Sequence, residues 1–404
     1  MNKPCGDYKS LPAVDKILYN KDVTKLILAF GKETTIYAIR QSLNFYREII
    51  KKGGSPPTEE EILSKIKEFI STLTNSSLKR VINATGIIIN TNLGRSPFSK
   101  ELLFDSFQKL EGYNNLEFNL KTGERGSRNF HPEKILKFLT GAEDILVVNN
   151  AAAAVMLCLN TFAKRKEVIV SRGELVEIGG SFRVPDVMAA SGCKMVEVGT
   201  TNKTNISDYQ NAISDRTKIL FKAHKSNYVI KGFTEEVSLQ ELAKIGKEHN
   251  IPVIYDQGCG LLKNIELPAF KDEVNVTDSL TDGADLVCFS GDKLLGGPQS
   301  GIIAGKKVYI EKLKKNQLLR ALRVCKITLS LIETTCSYYL NDKELFTKNM
   351  FFRLITRKPE DIKNSALSIS ELLKINGITS EVIPNTVQIG GGSLPDKEIQ
   401  SYAI

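Results

Sequence analysis

Short β-branched runs that end in Gly, Ser or Asp alternate with helix-like stretches through the middle of this chain. That alternation restricts the fold more than any other feature. DILVV at 144–148, KEVIVSRG at 166–173 and CKMVEV at 193–198 are followed by KILFKA at 218–223, IPVIYD at 251–256 and DLVCFS at 285–290. Strands apolar on both faces have no side to offer water, so they belong in a sheet covered twice over. Intervening segments such as LQELAKIGKEHN at 239–250 carry the apolar spacing of covering helices. The pattern predicts an α/β fold with a mostly parallel central sheet. The carboxyl ends of such strands open on a common crevice, where function is to be sought.

The flanks read differently. Leu11, Val14, Ile17 and Leu18 fall on one helical stripe, and KLILAFG stops at Gly31. TIYAIRQSLNFYREIIKKGG is a second amphipathic run, closing in basic residues and a glycine pair. After the turn GGSPP, Thr58 and Glu61 have the spacing of a capping box. The expected division is a helical domain at 1–60, a linker helix at 61–80, a large α/β domain at 81–325 and a small C-terminal α+β domain at 326–404. Towards the C-terminus, ALRVCKITLSLIETTCSYYLND reads as one long helical span, 363–375 as another helix, and EVIPNTVQIGGGSLP as strand and turn. The small domain stops after barely one strand pair, so an incomplete, truncated unit with an unpartnered sheet edge is expected.

With 404 residues, 42% of them apolar and 25% charged, the chain has the make-up of one that buries a large core. No apolar run of membrane length and no signal-peptide core is present, so no membrane partner and a cytoplasmic location are expected. Seven scattered cysteines without a CxxC pair, and His131, His224 and His249 at unrelated spacings, support no metal site. The formal charge of +9 is uneven, because residues 1–80 carry 14 Lys and Arg against 9 Asp and Glu. A positive helical head on a nearly balanced body fits a polyanion-binding module attached to a separate machine.

Candidate chemistry gathers at strand ends. VVNNAAAAVM at 147–156 feeds a strand into a helix of small residues, whose first N–H groups at Asn150, Ala151 and Ala152 can seat a phosphate. Asp256 ends IPVIYD, where an acid can pair with a protonated ring nitrogen. Lys293 follows DLVCFS within SGDK, placed to form a Schiff base with an aldehyde cofactor if its pKa is lowered. Ser290 can reach the same cofactor's phosphate, and His224, after KILFKA, can touch cofactor or substrate. Together these fit a pyridoxal 5'-phosphate site. No GxGxxG follows an early strand and no P-loop occurs. Arginines stand in Gly-flanked loops, with Arg95 in NTNLGRS, Arg125 and Arg128 in GERGSR, and Arg172 and Arg183 in SRGELVEIGGSFRVP. Arg320 and Arg323, spaced by three, can share one anion from one helix face.

Several strings are recognisable as a set. RVINATGIIINTNLGRSP at 80–97, YNNLEFNLKTGERGSR at 113–128, SRGELVEIGGSFRVPDVM at 171–188, FSGDKLLGGPQSGII at 289–303 and RALRV at 320–324 carry the resemblance, with LPAVDKIL at 11–18 and SNYVIKGFTEE at 226–236. By these the chain resembles bacterial selenocysteine synthase, the L-seryl-tRNA(Sec) selenium transferase family of fold-type I pyridoxal-phosphate enzymes (aspartate-aminotransferase-like). The resemblance implies conversion of L-seryl-tRNA(Sec) to L-selenocysteinyl-tRNA(Sec) through a cofactor-bound aminoacrylyl intermediate, with selenophosphate as donor. It implies Lys293 as the cofactor lysine, Asp256 at the ring nitrogen, and Arg95, Arg320 and Arg323 at the donor site. A tRNA-gripping N-terminal domain and a homo-oligomer of dimers, commonly a decamer with active sites at the dimer interface, are implied as well. Cys325, Cys259, Lys225 and Ala151 depart from the family pattern, which has Asp, Ser, Thr and Asn there.

Two rival readings stay open on the sequence. One is a related pyridoxal-phosphate lyase acting on a small amino acid or amino sugar phosphate, for which the basic head has no use. The other is a catalytically decayed tRNA-binding homologue, to which the Cys325 departure and the short C-terminus point.

Overall fold

The computed structural model describes residues 10–178, 182–225, 227–271, 273–390 and 394–404. It divides into two compact units, one ending at Ile82 and one beginning at Asn83.

In the first unit, α1 (Val14–Leu18), α2 (Lys21–Phe30), α3 (Lys32–Lys51) and α4 (Glu59–Thr74) pack their apolar stripes together. Gly31, at φ 87°, ends α2 and starts α3. The expected capping box forms, with Glu61 N donating to Thr58 Oγ1 at 3.2 Å and Thr58 N to Glu61 Oε2 at 2.7 Å. The sequence reading made this helix a linker, and the structure corrects that. Ile62, Ile66 and Ile70 of α4 are buried with Ala38, Ile39 and Leu43 of α3, so α4 is one wall of the helical core. A helix with an apolar stripe needs a surface to bury it against, and α3 supplies one.

The second unit opens with α5 (Lys100–Phe107) and α6 (Phe130–Thr140). Next come β1 (Asp144–Val148), α7 (Ala151–Ala163), β2 (Glu167–Ser171), the short pair β3 (Glu177–Ile178) and β4 (Phe182–Arg183), and α8 (Val184–Ala190). They are followed by β5 (Lys194–Val198), α9 (Ile206–Ala212), β6 (Thr217–Ala223), α10 (Leu239–His249), β7 (Val253–Gly258), α11 (Val276–Thr281) and β8 (Leu286–Ser290). Then come β9 (Gly301–Gly305), α12 (Lys307–Lys314), α13 (Leu319–Leu322) and α14 (Lys326–Tyr338). The chain closes with α15 (Asp342–Lys348), α16 (Met350–Ile355), α17 (Pro359–Ile375), β10 (Ile383–Gly390) and β11 (Leu394–Ala403).

Seven strands form one sheet in the order β1-β9-β8-β7-β6-β2-β5. From β8 to β5 every pairing is parallel, as expected, and β9 lies antiparallel between β1 and β8. Alternate residues of β7 go to opposite faces. Val253 and Tyr255 join the core under α10, α11 and α14, whereas Ile254 joins Cys288, Phe221 and the apolar side of α7. All six expected runs are strands. β9 was not foreseen, because GIIAG is short and flanked by glycines.

The proposed boundary at 325 and 326 does not divide the unit. Leu329, Ile332 and Cys336 of α14 belong to the same core as Ile89, Leu102 and the sheet, so α14 is built into the large domain. The long helical span also breaks at Arg323–Cys325, which separate α13 from α14. β10 and β11 form an antiparallel hairpin, and residues 86–89 run along β10, where Ile89 N donates to Ile389 O at 2.8 Å. That segment partly closes the edge expected to lie open.

Gly301 sits at the seam where β9 meets both Val148 and Ser290. A Cβ there would collide with the backbone carbonyl of Asn150, at the start of α7. Gly301→Ala is therefore expected to lower stability by about 1–3 kcal/mol, the usual range for overpacking, as read from urea unfolding curves.

Candidate active site

Four strand ends converge at the carboxyl edge of the sheet. Val148 and Ser290 both pair with Gly301, and Asp256 pairs with Ala223 on one side and Cys288 on the other. Strand alternation turns Asp256 to the face that α7 covers. The register then slips between Asp256 and Gly258, whose φ of 70° swings the chain away and leaves the face open. A Cβ on Gly258 would stand 3.9 Å from Lys293 Nζ and 4.0 Å from Asp256 Oδ1. The amine and the carboxylate thus face one point from the ends of two strands.

Lys293 is buried and Asp256 half-buried. Asp256 Oδ1 is buried and makes no hydrogen bond. Burial pushes the Asp256 carboxyl up to about 6, against the opposing pull of the Lys293 charge and the Gly258 N–H. Lys293 is 8% exposed. Burial lowers its pKa, while Asp256 works in the opposite direction. His224 N donates to the Asp256 carbonyl at 2.9 Å, which holds its half-buried ring beside the pair. Burial first, and the Lys293 charge second, push the imidazole down to about 4, so it is neutral at pH 7. Its Nδ1 is buried without a partner.

At the start of α7 the Asn150 side chain accepts from Ala153 N at 2.8 Å, capping the helix. The N–H groups of Ala151 and Ala152 lie outside the helix's own bonding pattern. Asn149 Oδ1 is buried and unpartnered nearby in the chain. Ser290 donates its hydroxyl to the carboxylate of buried Asp292, which also takes Arg95 Nη1 at 2.7 Å. A cavity of about 470 Å³ beside Arg95 and Asp292 is also lined by Ser96, whose buried hydroxyl has no partner.

The other arginines gather elsewhere. Glu117 binds Arg125 Nη2 at 3.0 Å, Arg128 Nε at 2.9 Å and Arg323 Nη1 at 3.3 Å. The expectation that Arg320 and Arg323 share a helix face fails. α13 is a single turn, and Arg323 follows it with extended backbone, φ −68° and ψ 136°. Arg320 is exposed and takes part in none of these ion pairs. Arg172 and Arg183 form exposed pairs with Glu197 and Glu177. Lys225 pairs with Glu236 at 2.7 Å, Cys259 is buried, and Cys325 is the exposed N-cap of α14. His131 binds the Leu116 carbonyl with Nε2 at 3.2 Å. Among the described residues no group of His, Cys, Asp and Glu is placed to hold a metal.

Two acids were missed by sequence reasoning. Asp292 lies inside SGDK as an apparent spacer, and Glu117 lies in a loop where acids are usually solvated. The available signal was the crowd of arginines in those same Gly-flanked strings, which needs counter-charge wherever it is partly buried.

Comparison with known proteins settles the kinship. Residues 81–404 match the family described as SelA, L-seryl-tRNA selenium transferase. The L-seryl-tRNA(Sec) selenium transferase of Alkaliphilus oremlandii is 44% identical over 408 residues, covering 98% of this chain and 87% of that protein. The enzyme of the same name from Aquifex aeolicus is 47% identical over 388 residues, covering 95% and 85%. The chain belongs to the L-seryl-tRNA selenium transferase family. Among solved structures, D-glucosaminate-6-phosphate ammonia-lyase is similar with a TM-score of 0.53 and 21% identity, over 70% of this chain and 73% of that one, a likeness of fold.

As a member of that family the chain is a pyridoxal-phosphate enzyme, and the site suits the cofactor. An unpartnered buried carboxylate oxygen is what a ring N–H requires. A lysine facing the same point, an N–H-bearing helix start and a small gap above Gly258 complete the cradle.

Removing the carboxylate tests the electrostatics. A folded pKa near 6 against 3.8 in the unfolded chain means that Asp256 favours folding below pH 4, and that this contribution is lost as pH rises through 6. In cofactor-free protein, wild type should therefore fall by about 1–3 kcal/mol relative to Asp256→Asn between pH 4 and pH 7. His224 titrates in both proteins and cancels in the difference. Urea denaturation across that range checks it, and a flat difference would contradict the burial of the acid.

Proposed function

We propose that this chain converts L-seryl-tRNA(Sec) to L-selenocysteinyl-tRNA(Sec) with selenophosphate as donor, using pyridoxal 5'-phosphate, in the cytoplasm. The observation that carries this is the shared point faced by Lys293 Nζ and Asp256 Oδ1. When bound, the cofactor draws electrons from the substrate's α-carbon.

The residues divide the remaining work. Asp256 would keep a proton on the ring nitrogen, because a carboxylate oxygen withdrawn from water is stabilised by a cation or an N–H placed against it. Lys293 carries the cofactor between turnovers and takes the proton from the α-carbon, a role suited to an amine whose pKa burial has lowered. The N–H groups of Ala151 and Ala152, with Asn150 as cap and Ser290 beside Asp292, seat the cofactor phosphate. His224, neutral and held against the Asp256 backbone, walls the ring without adding charge. The α-proton and the serine β-hydroxyl leave together as water, selenium bonds to the β-carbon, and water cleaves the donor's P–Se bond so that its phosphate leaves as inorganic phosphate. Arg95 beside Asp292, Arg323 at the Glu117 cluster and the exposed Arg320 are the groups offered to the donor's phosphate, while Arg125 and Arg128 stay on Glu117, and planar guanidinium forks bind such oxyanions well.

The basic helical unit supports a tRNA partner. Its residues 1–80 carry a net charge of +5, and Tyr19, Phe30, Tyr37 and Phe45 are exposed on it, a combination that binds backbone phosphates and stacks bases. Dimers within a decamer are the assembly the resemblance implies, and association of some kind is supported by the exposed Phe104, Phe107, Phe130, Phe138 and Leu340, large apolar groups that a lone chain would leave in water. Light scattering after gel filtration should give ten copies of the 44.8 kDa chain, and a monomer would count against that assembly.

The activity is tested with serylated tRNA(Sec), first without and then with selenophosphate. Loss of serine and gain of selenium on the tRNA are expected, with Lys293→Ala slower by at least about a thousandfold. Elimination from free small amino acids alone would point to a lyase, and tight tRNA binding without elimination to a decayed homologue.

A further inference from the structure

Glu117 serves three guanidinium groups with one carboxylate. It stands at the foot of a narrow loop in which Gly126 N donates to the Glu117 carbonyl at 2.9 Å and Asn119 N to the Glu124 carbonyl at 2.9 Å. That loop returns Arg125 and Arg128 to the side chain from which it set out. Arg128 is well satisfied, giving Nε and Nη2 to Glu117 Oε1 and Nη1 to the Val324 carbonyl at 2.7 Å. Arg125 takes the other oxygen at 3.0 Å. Arg323 is left with a third share of Oε1 at 3.3 Å, the longest of these contacts, and its buried Nε has no partner at all. An oxygen already taking two N–H groups has little left for another.

The backbone of Arg323 is meanwhile fixed. Asn149 N donates to the Leu322 carbonyl at 3.0 Å, and Arg323 bridges to Val148 at the end of β1. Its side chain therefore starts next to the first turn of α7 and can change partner without moving the fold. Three positive groups against one negative leave the cluster with a surplus of two charges. A singly charged anion offers Arg323 no more than Glu117 already does, whereas a doubly charged oxyanion does.

We propose that Glu117 is an internal competitor for Arg323, and that a dianionic oxyanion, the selenium donor, binds by taking that guanidinium from it. The proposal rests on the donor-site role given to the arginines above. Glu117 then sets the donor's affinity and discriminates against monoanions, while Arg125 and Arg128 stay with it and hold the loop. Were Glu117 instead a positioning residue that aims Arg323 at the donor, its removal would weaken binding, so the two roles differ in sign.

The experiment uses the full-length holoenzyme and compares wild type with Glu117→Gln. Glu117→Asp is the second variant, which keeps the charge but withdraws the oxygen from Arg323 and stands in if the first does not fold. The half-saturating selenophosphate concentration should fall by about three- to tenfold, the weight of one part-exposed ion pair, with the maximal rate changed by less than about twofold. Calorimetric titration with inorganic phosphate, in the absence of tRNA, should tighten in parallel, and chloride should become a stronger competitor. An unchanged or raised half-saturating concentration, or phosphate affinity that does not tighten in a folded variant, overturns the competition. Wild type that consumes no serylated tRNA would overturn the assigned reaction instead, and the phosphate titration still decides the role of Glu117 by itself.

Discussion

A carboxylate and an amine, each poorly hydrated and facing the same point, set the terms for the rest of this molecule. Neither Asp256 nor Lys293 is comfortable alone at the sheet edge, since burial disfavours the charged form of both. Their mutual attraction offsets part of that penalty, and a ring N–H on the open carboxylate oxygen would offset more. The surrounding structure can be understood as the means of holding this opposition in place. The parallel strands bring Asp256 and the approach to Lys293 side by side, the slip at Gly258 opens the space between them, and Gly301 lets α7 start close to the seam of β1, β8 and β9.

Around that centre, positive charge is arranged in graded company. Arg95 is tied to Asp292, which also fixes Ser290, so the end of β8 and one arginine share a single buried acid. The cluster on Glu117 is joined to the end of β1 through Leu322 and Arg323. Asp292 meets one guanidinium, whereas Glu117 neutralises only part of the charge it meets.

Much of this was legible in the sequence, and what escaped has physical reasons. Runs such as DILVV and DLVCFS declare themselves because a doubly covered strand must be apolar throughout, and Asp256 and Lys293 stand out because the carboxyl ends of such strands open on the crevice where ligands bind. GIIAG escaped because five residues with glycine at both ends look like a turn, although neighbours that need close approach select those glycines. The role of α4 escaped because an amphipathic stripe does not say what it packs against. Arg320 and Arg323 show the limit of spacing arguments. Three residues apart places two side chains on one face only while the helix lasts, and here it ends between them. Glu117 and Asp292 were invisible because an acid's importance lies in partners far along the chain, 206 residues away for Arg323 and 197 for Arg95.

The most direct test of the central opposition is to reconstitute the protein with pyridoxal phosphate, fix the cofactor to its lysine with borohydride and map the labelled peptide. The account predicts a single pyridoxyl group on Lys293, with the absorbance of the complex altered in Asp256→Asn. Label on a different lysine, or a spectrum indifferent to residue 256, would contradict it.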